Sequence, residues 1–224
     1  MLYNQNMNTL PLFPLNTVLF PGQLLPLHIF EARYRQMIGE CLQHSTPFGV
    51  VLLREGEEAG DDAVVPYDVG TTAHIVQAER LADGRMNIIC VGHSRFRITQ
   101  TRRDRPYLRG DIDFWPWAPF DTTNGPSPVG PVKQRLERYL KLLAELSDSE
   151  INIDIPDEAA ALANLSAAVL QIEPAEKQAL LSTASIGELL NRIADILVRE
   201  LRGLHIMQAA RQRPTDESPS FSLN

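Results

Sequence analysis

Short apolar runs separated by turn-forming residues dominate the first half of the chain. The runs have the length and the β-branched and aromatic content of strands, and glycine, proline and aspartate separate them. They are TVLF, FGVVLL, TTAHIVQAERL, MNIICV, SRFRIT and LRGDIDFW, which start at positions 17, 48, 71, 86, 94 and 108. The Asp83-Gly84 pair between two of them predicts a tight hairpin turn, because both residues tolerate positive φ. The pattern therefore predicts a β-rich unit.

A single amphipathic helix interrupts the predicted strands. Its apolar positions recur at three- and four-residue steps, at Phe30, Tyr34, Ile38 and Cys41. Glu31 precedes Arg35 by four positions, the order that favours an ion pair along a helix. The segment before it, LPLFPLNTVLFPGQLLPL from position 10, contains too much proline to be helical. It is predicted to form an edge strand and a Pro21-Gly22 turn that lie on the β-rich unit.

The second half of the chain is predicted to be helical. A stretch from Trp115 to Pro131 that holds five prolines separates it from the strands. Apolar stripes follow at positions 136–146 and 162–169, then a short helix at 174–181 that begins with proline, and a last stripe at 186–204. Ser185 and Glu188 form a capping-box pattern at the start of the last helix. These features predict a helical bundle.

The two patterns divide the chain and give the predicted fold class, which is α+β. A β-rich unit is expected at residues 8–115, a proline-rich connecting loop at 116–131, and a helical bundle with a long last helix at 132–206. Residues 207–224 are polar and interrupted by proline, so they are predicted to be a disordered tail.

The composition narrows the functional classes. The 224 residues carry a formal net charge of −7, which argues against a charge-driven grip on phosphates, so nucleic acid is not expected as a partner. Cys41 and Cys90 lie among apolar neighbours and are expected to be free thiols. The N-terminal sequence lacks the pattern of a secretion signal, and no run of about 18 apolar residues is present. We therefore expect a cytoplasmic protein without membrane contact.

The sequence contains none of the common motifs for catalysis or cofactor binding. It has no Gly-Lys dipeptide, which a P-loop nucleotide site requires, and no G-x-S-x-G or H-E-x-x-H motif. The five histidines share no metal-ligand spacing. His74 and His93 lie on predicted strands and could approach each other as a metal-binding or general-base pair, but two ordinary histidines are the favoured interpretation. No catalytic residue, metal ligand or cofactor is predicted, and the protein is not expected to be an enzyme.

Two carboxylate pairs have the residue type that acid–base catalysis uses. Asp61-Asp62 lies in an acidic, glycine-containing loop, and Asp111 with Asp113 alternates along a predicted strand. Both pairs are expected to face water rather than to act in catalysis.

A basic stretch admits two interpretations. Side chains alternate along a strand, so Arg95 and Arg97 share one face while Phe96 and Ile98 point to the other. Further arginines follow at positions 102, 103 and 105. The stretch is either an anion- or RNA-binding patch or the polar face of a half-buried strand. The negative net charge favours the second interpretation.

Taken in order, several segments closely resemble the N-terminal substrate-binding domain of Lon proteases. They are LPLFPLNTVLFPGQLLPLHIFEARYRQMI, FGVVLL, VGTTAHI, DGRMNIICVGHSRFRI, RPYLRGDI and EPAEKQALLSTASIGELLNRIADILVREL, within roughly residues 10 to 205. The resemblance implies a PUA-like pseudo-barrel followed by a helical bundle that ends in a long helix. In full-length Lon proteases that helix leads to an ATPase module and a protease domain with a serine-lysine pair, and neither is present in this sequence. The resemblance therefore implies a free-standing Lon-domain protein.

The function that the resemblance implies is binding of polypeptide segments or of a protein partner, in protein quality control. A related domain occurs in cereblon, a ubiquitin-ligase receptor. The candidate peptide contacts are Phe30, Arg33 and Gln36, at the entry and on the outward face of the first helix, although anchoring of the helix is the favoured role of Phe30 and Tyr34. Alternatives are an accessory role in ATP-dependent proteolysis and an RNA-binding module of the PUA type. The partner and the oligomeric state are left open.

Overall fold

Six strands and five helices form in the part of the chain that the computed structural model describes, residues 9–56, 64–120 and 127–211. The strands are β1 (Thr9–Leu15), β2 (Leu24–Ile29), β3 (Phe48–Glu55), β4 (Val65–Arg80), β5 (Met86–Arg102) and β6 (Arg109–Phe114). The helices are α1 (Ala32–His44), α2 (Val129–Ser147), α3 (Ala159–Val169), α4 (Pro174–Leu181) and α5 (Ile186–Arg211). Four helices follow the last strand, so the predicted α+β class is confirmed.

The strands form one sheet that closes on itself. Its order is β2-β5-β4-β3-β1-β6, and β5 also pairs with β6, so five strands form a barrel and β2 is added outside it along the first part of β5. The pairs are antiparallel except for β1 with β3. β5 reaches all its partners because it is 17 residues long and has register shifts against β4 and β6 that bend it. The expectation of a pseudo-barrel is confirmed.

The first strand lies inside the sheet although it contains two prolines. Residues 9–11 of β1 pair with β6, and residues 12–15 pair with β3. The Leu12 amide donates to the Leu108 carbonyl on the β6 side, so by alternation the nitrogen of Pro14 faces that side beyond the end of the ladder. The nitrogen of Pro11 faces the β3 side before that ladder begins. Neither proline therefore removes a ladder hydrogen bond.

The opening segment corrects two predictions. The predicted edge strand is wrong, because β1 is an interior strand and the edge strand of this segment is β2. The TVLF run forms no strand, although Val18, Leu19 and Phe20 are buried. The predicted Pro21-Gly22 turn is present, with Gly22 at φ 81°.

The predicted runs MNIICV and SRFRIT belong to one continuous strand, β5. Gly92 lies between them, and a glycine in a strand pattern suggests a break. In the fold this glycine allows a close approach, because a Cβ there would lie 2.3 Å from the carbonyl oxygen of Phe20. The Gly22 amide donates to the Gly92 carbonyl (2.8 Å), and the Gly92 amide donates to the Gln23 carbonyl (2.9 Å). These bonds attach the Pro-Gly turn to the barrel.

The start of the last helix has the predicted cap with one change. The Glu188 amide donates to the Ser185 hydroxyl at 3.2 Å, as in a capping box. The Glu188 carboxylate accepts from the Ala184 amide at 2.9 Å, one residue earlier than the box requires. None of the described helices is long and apolar enough to cross a membrane.

The predicted limits of the bundle are too narrow at both ends. Helix α2 includes residues 129–131, for which the sequence predicts a loop, and α5 includes residues 207–211, for which it predicts a disordered tail. An ion pair between Arg211 and Asp148 (2.7 Å) holds the end of α5 against the end of α2. Residues 212–224 of the predicted tail and 121–126 of the predicted loop lie outside the described residues.

Three apolar clusters stabilise the fold. One fills the barrel, and a second lies between the sheet and α1. The third is the core of the helical bundle, and it includes side chains from the barrel half: Val18, Phe20, Leu52 and Val69. The two predicted subdomains therefore share a buried apolar interface.

Candidate polypeptide-binding surfaces

The outer side of β2 is a free edge of the sheet. Within the described residues β2 pairs with β5 alone, and the bond from the Gly92 amide to the Gln23 carbonyl (2.9 Å) shows which residues face that neighbour. By alternation, the backbone groups of Leu24, Pro26 and His28 face outwards. Because Pro26 has no N–H, this edge offers carbonyls at all three positions but amides at only two of them. An extended chain can pair with it in part, and the proline hinders self-association of edges.

Large apolar side chains flank this edge. Leu24 is 61% exposed, and Phe30, which directly follows the strand, is 55% exposed. The Phe30 ring lies 6.2 Å from the His28 ring, centroid to centroid. Phe30 also lines a pocket of about 200 Å³ together with Phe13, Leu15, Leu27, Ile29 and Tyr34. We call the outer edge of β2 with Leu24, Phe30 and this pocket the edge surface.

Two of the three predicted peptide contacts have accessible side chains. Phe30 belongs to the edge surface, and Gln36 is exposed on α1. The Gln36 side-chain amide donates to Glu40 Oε1 at 2.9 Å, along the helix. Both side chains are available to a ligand, and their contact with a peptide stays a prediction.

The third predicted contact, Arg33, is mostly covered. Its side chain is 15% exposed, and its Nε donates to Glu31 Oε2 at 3.0 Å. Its guanidinium lies 4.7 Å from the centroid of the Tyr34 ring. The Glu31 carboxylate thus forms its ion pair with Arg33 instead of with Arg35, which was the predicted partner. Arg33 stabilises the start of α1, which leaves little of it for a ligand.

A larger cleft lies between the barrel and the bundle, with a volume of about 700 Å³. Prolines and aromatic rings form a large part of its wall: Pro21, Phe114, Pro116, Trp117, Pro119 and Phe120. Polar side chains (His93, Ser94, Arg95, Glu158 and Asn164) and the aliphatic residues Ala159, Ala160 and Ile186 complete the wall. We call this the interlobe cleft. Pro116, Trp117, Pro119 and Phe120 come from the stretch for which the sequence predicts a connecting loop.

A buried arginine forms part of the cleft wall. Arg95 is 3% exposed, and its Nε donates to the Trp115 carbonyl at 2.7 Å. Its Nη1 donates to the carbonyls of Leu181 (2.7 Å) and Thr183 (2.6 Å). The rings of Trp115 and Trp117 each have their centroid 4.0 Å from its Cζ. This side chain therefore links the barrel to the connection between α4 and α5.

The electrostatic environment of Arg95 is unusual. Burial, and then the charge of nearby Arg97, lower the pKa of Arg95 to about 10. Its Nη2 is shielded from water and has no hydrogen-bond acceptor in the described part of the chain. The interpretation of Arg95 as part of a water-facing strand face is wrong, because the bundle covers it. Arg97 is exposed as expected, and its Cζ lies 4.0 Å from the centroid of the Trp115 ring.

The geometry does not favour the RNA-binding alternative. Of the arginines on which it depended, Arg95 is buried, and Arg102 donates from Nε to Asp111 Oδ2 at 2.9 Å. Hydrogen bonds from Arg102 and Thr9 lower the pKa of Asp111. Both arginines are thus used by groups of the protein itself. That nucleic acid is not a partner stays a prediction.

The two histidines on neighbouring strands do approach each other. The ring centroids of His74 and His93 are 5.2 Å apart, with one ring edge-on to the other. Burial lowers the pKa of His74, and the charge of His93 lowers it further. No group of three or more potential metal ligands is assembled among the described residues. The pair alone is short of the three or four protein ligands that a zinc site uses.

The carboxylate pairs show no shared site. Asp111 binds Arg102 and Thr9, whereas Asp113 is exposed and lies opposite Arg97 in the strand register. The Asp61-Asp62 pair lies outside the described residues.

Known proteins resemble this chain along most of its length. Lon protease 2 of Myxococcus xanthus is 30% identical over 202 residues, which cover 84% of this chain and 24% of that protein. Lon protease of Parabacteroides distasonis is 29% identical over 216 residues, which cover 94% of this chain and 26% of that protein. The chain therefore spans about a quarter of the length of these curated relatives.

Solved structures and a family model agree with this similarity. The crystal structure of a Lon N-terminal domain protein from Xanthomonas campestris has a TM-score of 0.64 and 27% identity, covering 83% of this chain and 96% of that chain. The N-terminal domain of Mycobacterium avium complex Lon protease, at 20% identity, shares the fold with a TM-score of 0.57 and covers 87% of this chain and 98% of that chain. The model of the ATP-dependent protease La (LON) substrate-binding domain matches residues 9–199, and the chain belongs to this family.

Proposed function

We propose that the chain is a recognition module that binds extended polypeptide segments at the edge surface. The observation that carries this proposal is the unpaired outer side of β2, with Leu24 and Phe30 exposed at its two ends. A strand edge can bind an extended peptide through backbone hydrogen bonds, while neighbouring pockets accept its side chains. Membership of a substrate-binding family supports the same function.

Apolar contacts are expected to supply most of the binding energy. Pro26 removes one outward amide, so a peptide along β2 gains fewer backbone hydrogen bonds than a regular strand would. Complete burial of a leucine or phenylalanine side chain contributes about 1.5–3 kcal/mol, and Leu24 and Phe30 are already partly covered. We therefore expect weak binding, with a Kd between about micromolar and millimolar, which suits transient capture of unfolded segments.

The test replaces both exposed side chains and measures binding of a permanently unfolded polypeptide. Fluorescein-labelled, reduced and carboxymethylated α-lactalbumin is titrated with the protein, and anisotropy gives the Kd. The Leu24→Ala/Phe30→Ala double variant is expected to bind at least about tenfold more weakly. Ile206→Ala is the matched control, because Ile206 is 71% exposed on α5, away from β2. Equal affinity of the double variant and the wild type would exclude the edge surface.

We further propose that this chain does not catalyse proteolysis or ATP hydrolysis. The sequence has no Gly-Lys dipeptide for a P-loop, and the matched model describes a substrate-binding domain. The relatives named Lon protease are about four times longer than the matched region, so we assign their catalytic activity to other segments. ATPase and casein-degradation assays on purified protein are expected to show no turnover. Activity that co-purifies with the protein and exceeds the buffer control would reverse this assignment.

A reducing, cytoplasmic compartment is part of the proposal. Cys41 and Cys90 are free and buried, and burial raises the pKa of both thiols to about 11. Thiolates are therefore scarce at neutral pH, and oxidation is slow. Thiol titration in urea of protein purified without reductant should detect both cysteines, and a disulfide would contradict the proposal.

A further inference from the structure

We infer that the interlobe cleft binds the C-terminal end of a polypeptide, with its carboxylate beside Arg95 and its last apolar side chains against the proline and aromatic walls. The cleft and the edge surface are built from different residues, so this inference does not depend on peptide binding at β2. It specifies a ligand chemistry, a free carboxylate next to apolar side chains.

The unsatisfied donors of Arg95 are the first reason. A guanidinium has five N–H groups. Arg95 donates its Nε–H to Trp115 and its two Nη1–H groups to Leu181 and Thr183. The two N–H groups of Nη2 have no acceptor in residues 9–56, 64–120 and 127–211. A buried cation with free donors is unfavourable, and a carboxylate is the protein group that satisfies it best.

The carboxylate that lines the cleft does not supply this anion. Glu158 accepts hydrogen bonds from the amides of Ala160 (2.9 Å) and Ala161 (2.6 Å) at the start of α3. Its charge is therefore used to cap that helix. Arg97 places a second positive charge near Arg95, beside the Trp115 ring. Arg97 is not part of the cleft lining, so Arg95 is the guanidinium of the wall that an incoming carboxylate can pair with.

A buried acceptor is the second reason. Asn164 of α3 lines the cleft, and its Oδ1 is buried without a donor among the described residues. A carboxylate cannot donate to it, but a peptide N–H can. The end of a polypeptide carries a carboxylate and an N–H within one residue. A sulfate or chloride ion offers no such donor.

The walls and the size of the cleft indicate what surrounds the carboxylate. Phe114 is 63% exposed, and Pro116, Trp117 and Phe120 add further apolar surface to the cleft wall. The volume of about 700 Å³ falls in the range of about 300–1,000 Å³ that is typical of small-ligand sites. The cleft therefore admits a few residues. A chain end fits such a site because, unlike an internal segment, its chain continues out of the cleft on one side only.

The first test varies the ligand and leaves the protein unchanged. A short fluorescein-labelled peptide with three apolar residues at a free C-terminus is compared by anisotropy with the same peptide carrying a C-terminal amide. The free acid is expected to bind at least about tenfold more tightly, since a charge-assisted hydrogen bond is lost in the amide. Equal affinity, or no binding of either peptide, overturns the inference. An amidated peptide ending in aspartate that binds as tightly as the free acid shows recognition of any carboxylate, which also overturns it.

The second test places the peptide on the protein. Phe114→Ala and Asn164→Ala are expected to weaken binding of the free acid about three- to tenfold, and Leu24→Ala/Phe30→Ala is expected to leave it unchanged. The reverse pattern would show that the peptide binds at the edge surface, so the cleft would be excluded while polypeptide binding stands. Loss of α-lactalbumin binding in the edge variant tests the proposed function separately. Far-UV circular dichroism of each variant verifies that it is folded.

Discussion

Replacing Arg95 by methionine is expected to loosen the contact between the barrel and the helical bundle. Methionine keeps much of the length and apolar bulk of the side chain but donates no hydrogen bond. In the wild type, the carbonyls of Trp115, Leu181 and Thr183 each accept an N–H from this arginine at 2.6–2.7 Å. The substitution removes the donor from all three acceptors at once.

The expected loss of stability is about 3.5–5 kcal/mol, as the sum of two contributions. A buried acceptor that loses its donor costs about 1–3 kcal/mol. The lower limit applies to each of the three carbonyls, because the variant is also relieved of a buried cation without a counter-ion. Loss of the contacts with the Trp115 and Trp117 rings adds to the effect, by about 0.5–2 kcal/mol.

Urea unfolding followed by tryptophan emission is the direct assay. The chain has two tryptophans, Trp115 and Trp117, and both lie on the Arg95 guanidinium, so the signal reports on this contact. Arg97→Met is the matched control on the same strand, because Arg97 is exposed. Arg97→Met removes one exposed contact with the Trp115 ring, so it is expected to alter the free energy of unfolding by about 0.5–1 kcal/mol.

Arg95→Lys separates charge from geometry. Lysine keeps the positive charge but cannot present the planar fork of donors. The free energy of unfolding of Arg95→Lys is therefore expected to lie between those of the wild type and Arg95→Met. A loss for Arg95→Met no larger than that for Arg97→Met would refute the reasoning, because the three carbonyls would then not depend on the arginine.

Three further substitutions test other parts of the fold. Gly92→Ala is expected to destabilise the protein by about 1–3 kcal/mol, because the new Cβ would meet the Phe20 carbonyl. Gly203→Ala lies in open space on α5 and should stabilise the protein by about 0.5–1 kcal/mol. Equal urea midpoints of the two variants would contradict the close approach at Gly92. The pKa of His74 is lowered in the folded protein, so the unfolded chain binds the proton more readily and the free energy of unfolding decreases as pH falls below about 6.5. This decrease should be smaller in His74→Gln. Identical pH profiles of the free energy of unfolding in the variant and the wild type would exclude His74 as the cause. Pro26→Ala restores an outward amide on β2 and should cause concentration-dependent self-association, which sedimentation velocity measures. A variant that sediments like the wild type at every concentration would show that the proline does not protect the edge.

Elements with local signals were predicted well. Helix α4 begins at Pro174 and ends at Leu181 as expected, and α5 begins after Ser185, whose hydroxyl caps it. Helix caps and the 3.6-residue period involve groups only a few positions apart, so a short window of sequence contains them. The ends of helices depend on distant partners. The last turn of α5, for example, is held by Asp148 of another segment.

Features that depend on strand neighbours were predicted less well. The prolines of β1 indicated an edge strand, but this strand changes neighbours between Pro11 and Pro14 and so lies inside the sheet. Gly92 indicated a break, but it allows the Phe20 carbonyl to approach a continuous strand. Of the predicted peptide contacts, Phe30 and Gln36 are exposed, while Arg33 is covered by contacts with Glu31 and Tyr34, and a role of any of them in peptide binding stays a prediction. The interlobe cleft was not anticipated.

The sequence by itself determined the fold class, the order of the two halves and which side chains share a face of a strand, because apolar periodicity and turn residues act over short distances. It placed Arg95 and Arg97 on one face of β5, and that is correct. Only the tertiary structure decided that this face is covered at Arg95 and exposed at Arg97. The carbonyls that cover Arg95 lie 86 and 88 positions further along the chain, and no local pattern contains a contact over that separation.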